Sequence, residues 1–166
     1  MKKHKAIAIP VTFVGDTPRF LTVRDKRFKE WIFVTGGCRR REIFTPIRTA
    51  LRELEEETRG VVSLKNGEYT SFTFNVKESP TIELEYTVFI FFVNYSSNEQ
   101  HELVRRFNDE KYKMYTKKIH VMRTYDENDF MSFDTLPEFN SRRRWERIIH
   151  NVVENPEFYA CITSLN

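Results

Sequence analysis

Cysteine is scarce in this 166-residue sequence: only Cys38 and Cys161 occur. Two thiols so far apart make neither a disulfide framework nor a zinc ribbon, and His4, His101, His120 and His150 show no paired spacing that would add a zinc site. A reducing, cytoplasmic setting is the expectation. Glycine (5) and proline (6) are also few, which excludes low-complexity disorder. Long apolar runs are missing. The longest, Tyr86 to Val93, is far too short to cross a bilayer as a helix, so no membrane partner is expected. The basic start is interrupted at Pro10 and has no small-residue cleavage site, so it reads as a first strand and not a signal peptide. Charge of one sign is lacking too. The 27 Lys+Arg nearly balance 24 Asp+Glu, leaving a net +3. That excludes a histone-like polycation and an acidic tail, and no DNA partner is expected. The length suits a single domain over 1–166 with a real core.

What is present is aromatic and patterned. Aromatics reach 14%, with 15 Phe, which points to a bulky core or an aromatic binding surface. Strands are expected over Lys5 to Val14, Phe20 to Arg24, Trp31 to Val34, Glu68 to Val76 and Glu83 to Tyr95, with shorter ones at Ile119 to Arg123 and Phe130 to Phe133. Helices are expected over Thr45 to Thr58, Asn98 to Met114 and Asn140 to Glu154, the last with Trp145, Ile148, Ile149, Val152 and Val153 on one face. This order favours an α/β fold, a mixed sheet with helices on its faces.

The informative segment is Gly36 to Gly60, GGCRRREIFTPIRTALRELEEETRG. Thr45 is placed to cap a helix, Pro46 suits its first position, and Gly60 lies just past its end. At about 100° per residue, Ile47, Ala50, Leu51, Leu54 and Thr58 form one apolar stripe. Glu53, Glu56 and Glu57 share the face beside it, while Glu55 points away. Carboxylates so crowded repel one another and, near a helix C-terminus, oppose its dipole. A divalent cation removes both penalties, and hard oxygen ligands suit Mg²⁺ or Mn²⁺. A solvated acidic face is the alternative for such a helix taken alone.

The same segment resembles the signature box of the Nudix hydrolases. Arg52-Glu53-Leu54-Glu55-Glu56-Glu57 fits the helical half at every fixed position, and Gly36-Gly37 matches the double glycine that ends a strand. Trp31 stands where the family often has an aromatic. Three departures stand beside the match. Glu42 fits the spacing only when counted from Gly36, and nine residues then separate it from Arg52. Thr35 replaces a frequent Pro. Arg59 occupies the place of the box glycine, and Gly60 comes one position late. The box style is similar to that of Nudix proteins from large DNA viruses, some of which remove RNA caps.

The resemblance implies an α/β/α sandwich and an enzyme acting on phosphoric anhydride bonds, with Mg²⁺ or Mn²⁺ as cofactor. It implies that Glu53, Glu56 and Glu57 hold the metal, that one of them also acts on the water, and that Arg52 steadies Glu53 or Glu42. A further carboxylate from a loop outside the box is expected; Glu127 in Tyr125 to Phe133 is the choice, and Glu99 the reserve. Gly36, Gly37, Glu42 and the basic run Arg39, Arg40, Arg41 are candidates for substrate contact, since guanidinium groups suit phosphate. Arg142-Arg143-Arg144 and Lys117-Lys118, interleaved with Tyr112, Tyr115 and Trp145, make base stacking conceivable, although Trp145 is expected in the core. Cys38, beside Arg39, is a candidate for a lowered pKa. Candidate substrates are capped RNA, free nucleotides or their sugar derivatives, and diphosphoinositol polyphosphates. The competing reading is a Nudix-fold module that binds nucleotide or RNA without hydrolysing it.

Overall fold

The computed structural model describes residues 1–65, 67–116 and 123–165. Strand β1 (Lys2–Val14) is the centre of the sheet. Residues Ala6 to Thr12 are all buried, as expected of a strand covered on both faces. One edge of β1 pairs in parallel with β6 (Ile82–Phe92), from Lys2↔Glu83 to Val11↔Phe92. The other edge is shared. Its first half pairs antiparallel with β4 (Val34–Gly37), and its second half with β2 (Thr17–Asp25). Pro10 sits where the partner changes from β4 to β2, so a residue with no N–H is tolerated inside a central strand. Gly15, at φ 63°, opens the two-residue turn that joins β1 to β2.

β2 also carries β3 (Trp31–Ile32) and β7 (Asn128–Asp134), and β5 (Tyr69–Ser79) closes the other side beside β6. β5 alternates inward Phe72 with exposed Ser71 and Thr73, the half-buried edge pattern expected from its sequence.

Helices cover the sheet. α1 (Pro46–Glu57) packs on β1 and β4. α2 (Ser97–Thr116) packs on β7, α3 (Leu136–Asn140) on β2, and α5 (Pro156–Leu165) on β5 and β6. Rings of Phe20, Phe33, Phe139 and Phe158 meet at centroid separations of 4.7–6.4 Å and tie α3 and α5 to the strands. Each such buried ring contributes about 1.5–3 kcal/mol through its removal from water. The architecture is the α/β/α sandwich expected. Among the described residues no helix is long and apolar enough to cross a membrane.

Two expectations need correction. The helix expected over Asn140 to Glu154 is only α4 (Glu146–Val153). Ser141 to Trp145 leaves helical geometry because Trp31 N–H donates to Arg143 O (2.8 Å) and Trp145 N–H to Trp31 O (3.1 Å), which draws this stretch alongside β3. Pro156 follows the end of α4 and opens α5. Thr45 precedes α1 as expected, but its side chain makes no capping bond. Of the strand expected at Ile119 to Arg123, all but the last residue lies outside the described residues, as do Lys117, Lys118 and His120. Arg123 to Tyr125 forms a 3-10 turn.

Candidate active site

The site begins at a glycine. Gly36, in β4, faces α1 so closely that a Cβ there would lie 2.0 Å from Glu53 Cδ. Glycine thus lets the Glu53 carboxylate lie against the strand. Next to it, Thr35 N–H donates to Glu57 Oε2 (3.1 Å), and Asn128 Nδ2 donates to Glu57 Oε1 (3.3 Å) and Glu57 O (3.2 Å). The sequence turned Glu53, Glu56 and Glu57 toward the sheet and Glu55 away. In the fold Glu56 and Glu57 are buried and Glu55 is exposed.

Arg52 binds the group together. Its guanidinium donates to both oxygens of Glu42 (2.8 and 2.9 Å), to Glu53 (2.9 Å), to Glu56 (3.3 Å) and to Gly37 O (3.2 Å). The alternatives left open for Arg52, Glu42 or Glu53, are thus both realised. Glu42 also accepts from Thr49 Oγ1 (3.0 Å) and Arg39 N–H (2.9 Å). Those bonds, led by Arg52, hold its carboxyl down to about 2.

The other end of the helix behaves oppositely. Burial, then the neighbouring Glu53, pushes Glu57 well above the usual carboxylate range, against the opposing bonds from Asn128. Burial likewise raises Glu53, opposed by Arg52 and reinforced by Glu56. Glu53 thus sits close enough to Glu57 for the two like charges to oppose one another.

That geometry tests the fit of a metal. Among the described residues no three His, Cys, Asp or Glu side chains close around one point as a ready cage. Mg²⁺, however, takes one or two carboxylates and completes its shell with water and phosphate. A divalent cation there would offset the opposition between Glu53 and Glu57, so the donor set fits such an ion.

Glu57 opens into a cavity of about 470 Å³. Thr35, Gly36, Glu127 and Asn128 line it beside Glu57; Asp25, Phe28, Glu30 and Trp145 also line it. Glu127 is exposed, and its charge acts on both Glu53 and Glu57. Glu99, the reserve, instead accepts from Ser96 N–H (3.2 Å) and caps α2, with no place in the cavity lining.

The basic clusters fare differently. Arg39, Arg40 and Arg41 line a second concavity with Arg48, sharing no residue with the first. Arg39 also reaches Glu56, 3.5 Å away. Arg142 stacks on Trp31, 3.8 Å from the ring centroid, and pairs with Asp134 (2.7 Å), while Arg144 pairs with Glu146 (2.9 Å). Both therefore serve the fold. Trp145, expected in the core, packs against it while also lining the cavity. Burial raises the Cys38 thiol pKa, the reverse of the lowering considered from sequence.

Arg59 ends the helix. It adopts φ 56°, where a side chain costs about 1–2 kcal/mol relative to glycine. Arg59 N–H donates to Glu56 O and Gly60 N–H to Glu55 O, satisfying the last carbonyls in a Schellman arrangement. The departure from the box at this position thus keeps the backbone turn that a glycine would supply.

With this geometry in hand, the comparisons are direct. The family model of the NUDIX domain matches residues 2–144. The chain belongs to the Nudix family. Membership carries the class of chemistry expected from the box, hydrolysis of a phosphoric anhydride bond, in a family whose hydrolases generally use divalent metals. No curated protein matches the sequence significantly. Solved Nudix structures resemble its fold at low identity. The NUDIX domain of Shewanella oneidensis NrtR with ADP ribose superposes at TM-score 0.59 and 11% identity, covering 100% of this chain and 90% of its own. The Nudix hydrolase RenU of M. smegmatis gives 0.55 and 12%, covering 98% and 83%. The C. elegans Ap4A hydrolase binary complex gives 0.51 and 10%, covering 98% and 94%. At such identities the likeness is one of fold.

Sequence reasoning missed Asn128, Thr35 N–H, Phe28 and the cavity role of Trp145. Asn128 carried a faint signal, standing next to the chosen Glu127.

Proposed function

We propose that this Nudix domain is a Mg²⁺- or Mn²⁺-dependent pyrophosphohydrolase that cleaves a diphosphate linkage in a nucleoside-diphosphate-type substrate, with the guanine cap of mRNA as the favoured candidate. One observation carries the reading: Glu57 is buried beside Glu53, pairs with no basic group among the described residues, and lines a cavity large enough for a nucleotide. Residues 1–166 are read as one domain, because Ile148, Ile149, Val152, Val153 and Phe158, beyond the matched span, join the same core.

The residues divide the work. Glu53, Glu56 and Glu57 would hold the metal, with Gly36 giving Glu53 room and Asn128 and Thr35 N–H fixing Glu57. Arg52 offsets the charge of Glu53 and Glu56. Bound there, a divalent ion neutralises phosphate oxygens and lowers the pKa of its water. Glu127, which lines the cavity and whose charge acts on both Glu53 and Glu57, would take the proton of the attacking water. Phe28, 59% exposed, and Trp145 offer faces to a base. Asp25 and Glu30 can only accept hydrogen bonds, which suits a guanine edge rich in N–H donors. The box style, similar to that of decapping proteins of large DNA viruses, favours the same substrate. Diphosphoinositol polyphosphates are less favoured, because Arg39, Arg40 and Arg41 line a different concavity.

The second reading is a nucleotide- or RNA-binding module without turnover. The shifted spacing around Glu42 and the Arg at the box glycine favour it. A panel of capped RNA, dinucleoside polyphosphates, ADP-ribose and diphosphoinositol polyphosphates, incubated with Mn²⁺ or Mg²⁺, separates the two. Diphosphate cleavage, fastest on guanine-capped RNA, is expected. Binding of one compound without product from any would establish the module instead.

A further inference from the structure

We propose that Arg59 is a positioning residue for Glu127, an inference that rests on the cavity being the reaction site. The Arg59 side chain is buried, with 1% of its surface exposed. Its guanidinium reaches across to the segment after the 3-10 turn. Nη2 donates to Asn128 O (2.6 Å) and Asp126 Oδ1 (3.1 Å), and Nε donates to Tyr125 O (3.3 Å). These three partners bracket Glu127 on both sides in the chain. The other face of the guanidinium stacks on Phe107 of α2, 4.4 Å from the ring centroid.

Stability alone does not select an arginine here. The position needs a left-handed backbone, which glycine adopts freely. A buried guanidinium also loses hydration and rotamer freedom. Residue 59 stands two places after Glu57, so the side chain converts the end of the metal-facing helix into a strap on the loop that carries the outlying carboxylate. The strap is not the loop's only attachment. Lys26 N–H donates to Glu127 O (2.9 Å), Lys26 Nζ pairs with Asp126 (2.8 Å), and Asn128 holds Glu57. Loss of Arg59 therefore leaves the loop tethered but free to shift, and a shift of about 1 Å in a reacting group costs on the order of 100-fold in rate.

The experiment compares wild type, Arg59→Gly, Arg59→Lys, Glu127→Gln and the double variant Arg59→Gly/Glu127→Gln. Melting temperature, kcat and KM are read on guanine-capped RNA with Mn²⁺, and amide hydrogen exchange is read at residues 126–128. In Arg59→Gly, kcat is expected to fall about 30- to 100-fold with KM within about threefold. Arg59→Lys should recover part of the loss. In the Glu127→Gln background, adding Arg59→Gly should change kcat less than about twofold, because the group being positioned is already gone. Exchange at 126–128 should rise at least about tenfold in Arg59→Gly, with the amides of α1 unchanged. Equal losses of kcat in both backgrounds, or a loss that follows melting temperature alone, would overturn the proposal. So would unchanged exchange at 126–128, whatever the enzyme does with capped RNA. An inactive wild type with the exchange change intact would leave the strap standing and remove the hydrolase reading instead.

Discussion

Two buried carboxylates at opposite ends of one helix meet opposite fates. Glu42, just before α1, and Glu57, its last residue, are 9% and 6% exposed. Glu42 receives a forked bond from Arg52 and two further donors, and its pKa falls to about 2. Glu57 receives one backbone N–H and one amide, faces Glu53, and its pKa rises. Burial is common to both, so the difference lies in the matching cation. Among the described residues there is one for Glu42, Arg52, and none paired with Glu57. The first group is electrostatically matched by Arg52; the second, in the function proposed above, would be matched by a bound cation. Arg52 links the two, since the same guanidinium that holds Glu42 also reaches Glu53 and Glu56.

Several changes would break or sharpen this contrast. The largest effect is expected at the unmatched end. Glu57→Gln replaces a carboxyl that pairs with no basic group among the described residues and leaves it one acceptor oxygen instead of two. The melting temperature should change by only a few degrees, whereas turnover should fall about 1000-fold at saturating Mn²⁺. Unchanged kcat would place the metal elsewhere. Next is Gly36→Ala, whose Cβ requires the Glu53 carboxylate to leave its place. Because the displaced atoms end a flexible side chain, the fold should persist, while kcat should drop on the order of 100-fold. Circular dichroism and steady-state kinetics check both halves of that expectation.

At the matched end, Glu42→Gln should cost stability. A carboxyl moved from 4.5 to about 2 contributes up to about 3 kcal/mol above pH 4.5. The native pKa is the lower one, so the contribution is present above the unfolded pKa and is lost as pH falls from about 4.5 toward 2. Denaturant midpoints of wild type and variant should differ most at neutral pH and converge near pH 2. A gap independent of pH would mean that packing, not the Arg52 pair, holds Glu42.

What the sequence disclosed and what it concealed follow the same division between local and tertiary causes. The faces of α1 follow from its 3.6-residue period, so the grouping of Glu53, Glu56 and Glu57 was legible, as was the α/β layering. β5 announced itself by alternation. The break at Trp145 was not legible, because apolar spacing continued through it and the cause is a backbone pairing with Trp31, more than a hundred residues away. The role of Asn128 depends on β7 meeting the end of α1. Arg59 read only as a mismatch to the box, because its partners at 125–128 come near it only in the folded chain. Arg142 and Arg144 looked like a nucleic-acid patch until Asp134, Glu146 and Trp31 accounted for them.

The smallest expected effect concerns the arginines that remain exposed. Arg40 and Arg41 lie in the 3-10 turn before α1 and line a concavity distinct from the cavity at Glu57. If long capped RNA is the substrate, its backbone can run over that surface, and each phosphate contact adds salt dependence to binding. Arg40→Ala/Arg41→Ala should then raise KM for capped RNA of some tens of nucleotides about two- to fivefold, and flatten its dependence on ionic strength. A cap dinucleotide is too short to reach both surfaces, so its KM should stay within experimental scatter of wild type. Equal changes for the long and short substrates would place the two arginines at the diphosphate itself and merge the two surfaces that the geometry keeps apart.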